Sequence, residues 1–176
     1  MPVSINPEQA GLRTVAELMC IAARTAPKAR GADNIVTAVI EDEAERAVIA
    51  ERMREIGERV DAPFFSRDAD NIMAAGTRVV IGTKLERLGI PGCNLCGYDG
   101  CAECEKAGAR CSYNAGDLGI AIGSAVSVAA AHHVDNRVMY SVGRAVVELE
   151  TLGADVGIAH GIPLSVAGKN IFFDRK

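Results

Sequence analysis

Cysteines dominate the chemistry of this sequence. Five of its six cysteines fall in one short segment, at Cys93, Cys96, Cys101, Cys104 and Cys111. Thiolates bind soft and borderline metals, and thiols this close together are rarely present for packing alone. The glycines between them allow the backbone to wrap tightly around a small inorganic group. The segment therefore predicts an iron–sulfur cluster, a zinc site or a set of disulfides.

The spacing of the cysteines and the cellular compartment separate these three alternatives. The chain opens without an apolar signal region and has no long apolar span, which predicts a soluble protein of the reducing cytoplasm, where disulfides are rare. Zinc sites usually show two cysteine pairs separated by a longer loop. The C-x2-C-x4-C spacing found here suits a chain that folds around one corner of a cubane. We therefore predict a [4Fe-4S] cluster, with zinc as the alternative metal.

A cubane needs four ligands and this segment offers five thiols. Cys93, Cys96 and Cys101 form the core of the motif and are predicted ligands. Cys111 is the predicted fourth ligand, because its longer return lets the chain close around the fourth iron. Cys104 is the alternative, since a helical turn after Cys101 would point it toward the same group. The spare thiol is then either a packed residue or a redox-active neighbour.

Size and composition limit the function classes. The 176 residues, of which 49% are hydrophobic, predict a single domain over residues 1–176 with a cysteine-rich loop over 89–113. Aromatic residues make up only 4%, tryptophan is absent and the net charge is −4. This composition argues against a surface that binds nucleic acid.

The remaining sequence must supply the frame that positions the cysteine-rich loop. Apolar residues at helical spacing predict helices over 8–26, 42–59 and 135–150, and β-branched runs predict buried strands over 35–40, 79–83 and 155–159. Residues 117–131 are apolar nearly all round, which predicts a helix that is buried on most sides and too short to cross a membrane. Together with a short apolar tail over 168–176, this helix predicts a homodimer.

Several segments resemble a family of prokaryotic proteins that contain a ferredoxin domain. The resemblance covers residues 22–28, 33–35, 93–111, 117–125, 135–140, 161–165 and 168–175. The local motif, with Cys93, Cys96, Gly97 and Cys101, is also similar to the small [4Fe-4S] modules of electron-transfer proteins. These resemblances imply a cluster but no particular reaction.

The order of the frame elements is similar to that of nitroreductases, in the segments 22–27, 35–40, 43–58, 79–83 and 117–131. Gly161-x-Pro163 resembles the end of their last core strand. The resemblance implies an α/β (α+β) fold with helices packed around a small sheet, into which the cluster loop is inserted. It also implies FMN at a dimer interface. The candidate flavin contacts are Arg24, Lys28, Arg30, Asn34 and Lys169.

Taken together, these features predict a redox protein that transfers electrons to a partner protein or to a bound flavin. One alternative is an FMN-dependent oxidoreductase of the nitroreductase type. A second alternative is a zinc-stabilised structural or binding module, which would lose its fold on chelation.

Overall fold

In the computed structural model, which describes residues 6–173, helices surround a four-stranded antiparallel sheet. The sheet has the strand order β1-β2-β4-β3. Along the chain the elements are α1 (Pro7–Thr25), β1 (Ile35–Ile40), α2 (Glu43–Arg59), α3 (Phe64–Ala74), β2 (Thr77–Lys84), α4 (Gly100–Lys106), α5 (Ser112–Ala131), β3 (Asp135–Asn136), α6 (Tyr140–Glu148) and β4 (Val156–Ser165). The predicted fold class, an α/β (α+β) frame of helices around a small sheet, is confirmed.

The sheet lies between two helical layers. Helices α1 and α5 cover one face, and α2, α3 and α6 cover the other. Val79 and Ile81 point into the first core, while Val80 between them points into the second. A strand that is buried on both faces reads as a continuous apolar run rather than as an alternating pattern. This explains why the sequence marks β2 so clearly.

Local pattern predicted most elements but not all of their bounds. The predicted strand 35–40 and the predicted helices over 8–26 and 42–59 correspond to β1, α1 and α2. Strand β4 runs on to Ser165, well past the predicted end at residue 159, because it pairs with β2 along almost its whole length. The cross-strand partners of its second half lie far away in the sequence, where a local pattern does not report them.

The predicted helix over 135–150 is wrong at its start. Asp135 and Asn136 pair with β4 as strand β3, and Met139 exchanges backbone hydrogen bonds with Gly161 at 2.8 and 3.1 Å. Because the sheet satisfies these backbone groups, helix α6 begins only at Tyr140.

Helix α6 packs closely on β4 at Gly143. A Cβ on Gly143 would lie 1.7 Å from the carbonyl oxygen of Ala159, so glycine allows α6 to pack directly on β4.

Helix α5 is longer and less enclosed than predicted. Cys111 is its N-cap, and α5 therefore starts at Ser112 rather than at residue 117. Among residues 6–173 it is the one helix that is long and apolar enough to cross a membrane by length and composition, so the prediction that it is too short is wrong. One stripe of α5 faces the core, and Ile120 on another side is 47% exposed. The buried residues of the stripe are Asn114, Leu118, Ala121, Ala125 and Ala129.

The C-terminal segment docks on its own subunit as far as residue 173. Phe172 is buried and joins the core formed by α2, α3 and α6. Arg137 donates a hydrogen bond to the Phe172 carbonyl oxygen at 3.2 Å and lies 5.5 Å from the centre of the exposed Phe173 ring. Residues 174–176 of the apolar tail lie outside the described residues.

Candidate metal centre

The cysteine-rich loop leaves the sheet at the end of β2 and returns at the start of α5, and it is tied down near both ends. The Asn114 side-chain amide donates to the carbonyl oxygen of Glu86 at 2.9 Å. The Arg30 guanidinium donates a hydrogen bond to the backbone carbonyl oxygen of Leu88. The Leu88 side chain is buried. The loop therefore starts from a fixed position and ends beside it.

Two glycines shape the middle of the loop. Gly97 and Gly100 have φ angles of 83° and 82°, in the left-handed region that glycine adopts without strain. The Gly97 N–H donates to the Asn94 carbonyl oxygen at 2.9 Å, and the Gly100 N–H donates to Asn94 Oδ1 at 3.1 Å. These tight turns reverse the chain between successive cysteines and turn their side chains toward a common space.

All five clustered thiols line one cavity. Its empty space is about 360 Å³, part of which is open to solvent, and the first turn of α5 contributes Ser112 and Tyr113 to its wall. Cys20 lies apart, on α1. The structure thus brings together every cysteine that the sequence singled out: Cys93, Cys96, Cys101, Cys104 and Cys111.

Cys104 differs from the other four thiols in being buried. Its Sγ lies 3.5 Å from the carbonyl oxygen of Ala109, and the Cys96 thiol is a neighbour. Burial, followed by the neighbouring Cys96, raises the pKa of the Cys104 thiol, while Arg87 acts in the opposite direction. Cys104 and Cys111 both reach the cavity, so the choice of Cys111 as fourth ligand stays a prediction.

Two features beside the cavity favour negative charge. Arg87 lies on its wall, and its guanidinium also approaches Glu105 and the Ala109 carbonyl oxygen at 3.4 Å each. No side chain caps the N-terminus of α5, so the N–H groups of Ser112 and Tyr113 lie uncapped beside the thiols, while the Asn114 N–H donates to the Cys111 carbonyl oxygen at 3.0 Å. An arginine and a helix N-terminus both favour negative charge, such as that of thiolates around a metal.

No single-ion site is preformed in the described part of the chain. Within residues 6–173, no group of three or more His, Cys, Asp and Glu side chains is arranged to hold one metal ion. In an iron–sulfur cubane each thiolate binds a different iron, so its ligands surround a volume instead of meeting at a point. Thiols spaced around a cavity are the donor set that such a group requires.

Two of the predicted flavin contacts share a groove beside the loop. Arg30 and Asn34 line a groove of about 980 Å³ of empty space, much of it open to solvent. Lys84 and Asp155, which form a salt bridge at 2.7 Å, line it as well. Arg87 borders both this groove and the thiol-lined cavity. The groove therefore adjoins the candidate metal centre.

The other two candidates from this region have partners within the fold. Lys28 Nζ donates to the carbonyl oxygens of Ala23, Arg24 and Ala26 at 3.0, 2.6 and 2.8 Å, which closes the C-terminal end of α1. The Arg24 guanidinium donates to Asp33 Oδ2 at 2.6 Å and to a backbone carbonyl oxygen at 2.7 Å. All three N–H groups of Lys28 are thus used by the protein, and its flavin contact stays a prediction.

Lys169 lies at the other end of the sheet. It follows the C-terminal end of β4, and the next residue, Asn170, donates to Asp135 Oδ1 at 2.9 Å. The groove with Arg30 and Asn34 lies where β2 ends and β4 begins. The structure therefore does not bring Lys169 together with the other candidates within one chain.

The sequence pattern did not reveal the role of Arg87 in this site. A single arginine in a loop belongs to no periodic pattern, and only the return of the chain at Ala109 places it on the cavity wall. Sequence pattern does not predict the contact of Asn114 with Glu86 either, because the two residues are distant in the sequence.

Comparisons with known proteins agree with this picture. The family described as uncharacterized proteins containing a ferredoxin domain (DUF2148) matches residues 107–175. A protein of Archaeoglobus fulgidus, itself named only as uncharacterized, is 39% identical over an alignment of 173 positions, which covers 94% of this chain and 92% of that protein. The chain belongs to this ferredoxin-domain family. The family match includes Cys111, whereas the archaeal relative extends the similarity over nearly the whole chain.

Solved structures show that this family member has the nitroreductase fold. A nitroreductase family protein from Clostridium novyi NT has a TM-score of 0.61 at 14% identity and covers 96% of this chain and 78% of its own. A BluB-like flavoprotein from Clostridium difficile 630 has a TM-score of 0.59 at 18% identity, with coverages of 100% and 87%. A protein assigned as a nitroreductase from Desulfovibrio desulfuricans, solved in complex with FMN, has a TM-score of 0.59 at 12% identity, with coverages of 100% and 83%. At these identities the similarity establishes the fold alone.

Proposed function

We propose that this protein is an electron-transfer protein that binds one iron–sulfur cluster of the [4Fe-4S] type in the thiol-lined cavity. The observation that carries the proposal is the convergence of five cysteine side chains on one cavity at the first turn of α5. Membership of a ferredoxin-domain family supports it. When bound, such a cluster accepts and releases single electrons.

The residues of this chain would hold the cluster and set its surroundings. Cys93, Cys96, Cys101 and Cys111 are the proposed ligands, with Cys104 as the alternative fourth ligand. The N–H groups at the start of α5 and the nearby guanidinium of Arg87 would stabilise negative charge on the ligated group. These residues therefore tune the site, while the redox chemistry belongs to the cluster.

A redox partner protein would approach the rim of this cavity. Leu95, which lines the cavity, is 63% exposed, and Tyr98, three residues further on, is 37% exposed. Exposed apolar side chains around a site that handles electrons offer a surface for a transient complex. The partner would dock on the cysteine-rich loop rather than on the layer of α2, α3 and α6.

The decisive measurement is a UV–visible spectrum with iron, sulfide, zinc and flavin analysis of protein purified without oxygen. About four iron and four sulfide per chain, with a broad absorption shoulder near about 400 nm, are expected of a [4Fe-4S] protein. One zinc per chain and no colour would overturn the redox proposal. The cysteine-rich loop would then be a zinc-stabilised structural or binding module.

A second candidate function is an FMN-dependent oxidoreductase that receives electrons from the cluster. It is supported by the similarity of the fold to solved proteins that contain FMN, and by the groove with Arg30 and Asn34 beside the cysteine-rich loop. Reconstitution with FMN followed by gel filtration tests it. Flavin retained by the chain supports this function, and complete loss of flavin from cluster-loaded protein removes it.

A homodimer in the cytoplasm completes the proposal. Helices α1 and α5 cover the same face of the sheet, and both leave large apolar side chains exposed. These are Ile120 on α5, which is 47% exposed, and Leu18 and Ile21 on α1, which are 37% and 59% exposed. A second copy of the chain packed on this face would bury them, as stable interfaces do.

The cysteines support the proposal of a cytoplasmic protein. All six lie within residues 6–173 and are free thiols, which suits a reducing compartment.

A further inference from the structure

A second cleft, separate from the thiol-lined cavity, lies between α6 and the first half of β4. Its empty space is about 570 Å³, part of it open to solvent. Helix α6 contributes one face, with Tyr140, Gly143, Arg144 and Val147 at helical spacing. The opposite wall is formed by residues 157–160 of β4, and Arg110 reaches in from the segment between α4 and α5.

The charges around this cleft are unbalanced. Within residues 6–173, the Arg110 side chain makes no hydrogen bond and no ion pair, and none of the residues that line the cleft is acidic. Arg144 does bond to Glu148 at 3.2 Å, but the same carboxylate also receives Arg59 at 2.6 Å and Arg52 at 3.7 Å. One carboxylate thus serves three guanidinium groups, and the cleft keeps a positive excess.

A buried polar atom on the strand side also lacks a partner. The Nδ1 atom of His160, a cleft residue, is buried and has no hydrogen-bond partner in the described part of the chain. Buried polar atoms in folded proteins are nearly always hydrogen-bonded, and this Nδ1 atom can form one further hydrogen bond. Val147, Ile158 and Ala159 supply apolar wall next to it. Cationic groups and apolar surface therefore meet in one small volume.

We propose that this cleft binds a small organic anion, a carboxylate or a phosphate that carries an apolar body. The Arg110 and Arg144 guanidinium groups would hold the anionic end, since planar guanidinium pairs with carboxylate and phosphate oxygens through two hydrogen bonds. The apolar end would pack against Val147 and Ile158. Arg110 directly precedes Cys111 and also lines a neighbouring depression with that cysteine. The bound anion would therefore lie close to the candidate metal centre.

Calorimetric titration of the full chain, as purified without oxygen, tests this proposal with benzoate, phenyl phosphate and the neutral benzamide. We expect at least one of the two anions to bind and benzamide not to bind, and the preferred anion distinguishes a carboxylate site from a phosphate site. Arg110→Ala and Arg144→Ala should each weaken anion binding by at least about tenfold. Arg54→Ala is the matched control, because Arg54 lies on α2 and pairs with Asp70 at 3.0 Å, away from the cleft.

The outcome does not depend on which metal the thiols hold, so failure here leaves the proposed electron-transfer function standing. The proposal is overturned if neither anion binds at concentrations up to about 10 mM. Equal binding of benzamide, or anion binding that survives both arginine substitutions, overturns it as well. Unchanged far-UV circular dichroism of the variants shows that any loss of binding comes from the cleft and not from unfolding.

Discussion

The buried side-chain amide of Asn114 donates a hydrogen bond to the backbone carbonyl oxygen of Glu86 across 2.9 Å. This bond joins the first turn of α5 to the chain that has just left β2. The whole cysteine-rich loop lies between these two residues, so the bond closes the loop at its base. Asn114 is thus a positioning residue for the thiols, although it contributes no ligand.

Substitution of Asn114 should loosen this closure. Asn114→Leu removes the donor and leaves the Glu86 carbonyl oxygen without its partner, which should lower the free energy of unfolding by about 1–3 kcal/mol. It should also speed the transfer of metal to a chelator. Urea unfolding and the rate of metal release measure the two effects.

Ser127→Ala on α5 serves as the control, because its exposed hydroxyl bonds only within its own helix, to the Ser124 carbonyl oxygen at 2.8 Å. It should change stability by less than about 0.5 kcal/mol. If Asn114→Leu releases metal as slowly as the wild type does, the bond to Glu86 has no role in closing the loop.

Cysteine substitutions should separate ligands from spectators. Replacing Cys93, Cys96, Cys101 or Cys111 by serine should abolish or degrade the cluster, because each would remove a thiolate from iron. Cys104→Ser and Cys20→Ser should keep iron and sulfide contents near those of the wild type. Iron and sulfide analysis of each variant, purified without oxygen, measures the cluster content. Loss in Cys104→Ser together with retention in Cys111→Ser would make Cys104 the fourth ligand.

The exposed side of α5 should form the dimer interface. Ile120→Glu places a carboxylate in an apolar contact, where it would lose its hydration without gaining a partner, so we expect a monomer. Light scattering coupled to gel filtration measures the mass. Val48→Glu on α2, at a side chain that is 55% exposed on the opposite layer, should leave the dimer intact. A dimeric Ile120→Glu variant would place the interface elsewhere.

Stability should depend on pH through His160. Burial lowers the pKa of His160 below its ordinary value of 6.5, so the folded protein keeps this imidazole neutral while the unfolded chain binds a proton more readily. As the pH falls below about 6.5, protonation of the unfolded chain therefore lowers the free energy of unfolding. His160→Gln should flatten this fall in urea unfolding measured from about pH 7 to about pH 5. An unchanged slope in the variant would show that other groups cause the dependence.

Local sequence pattern predicts a helix or strand correctly where that element buries its own apolar face. The apolar run around Val80 marks a strand with both faces buried, and the apolar residues of α1 recur at helical spacing. The pattern failed where distant segments compete for the same backbone groups. The pattern of residues 135–139 predicts the start of a helix. In the structure Asp135, Asn136 and Met139 instead pair with β4 in an extended conformation.

Five thiols within one short segment, with turn-forming glycines between them, are enough to predict soft-metal chemistry from the amino-acid sequence. Most helices and strands are predicted in the same way, since buried strands and amphipathic helices carry their patterns locally. The folded chain, in contrast, shows that Arg87 borders the thiols, that Lys28 binds the carbonyl oxygens at the end of α1, and that Lys169 lies at the far end of the sheet. Each of these depends on contacts between segments far apart in the chain, which no local spacing encodes.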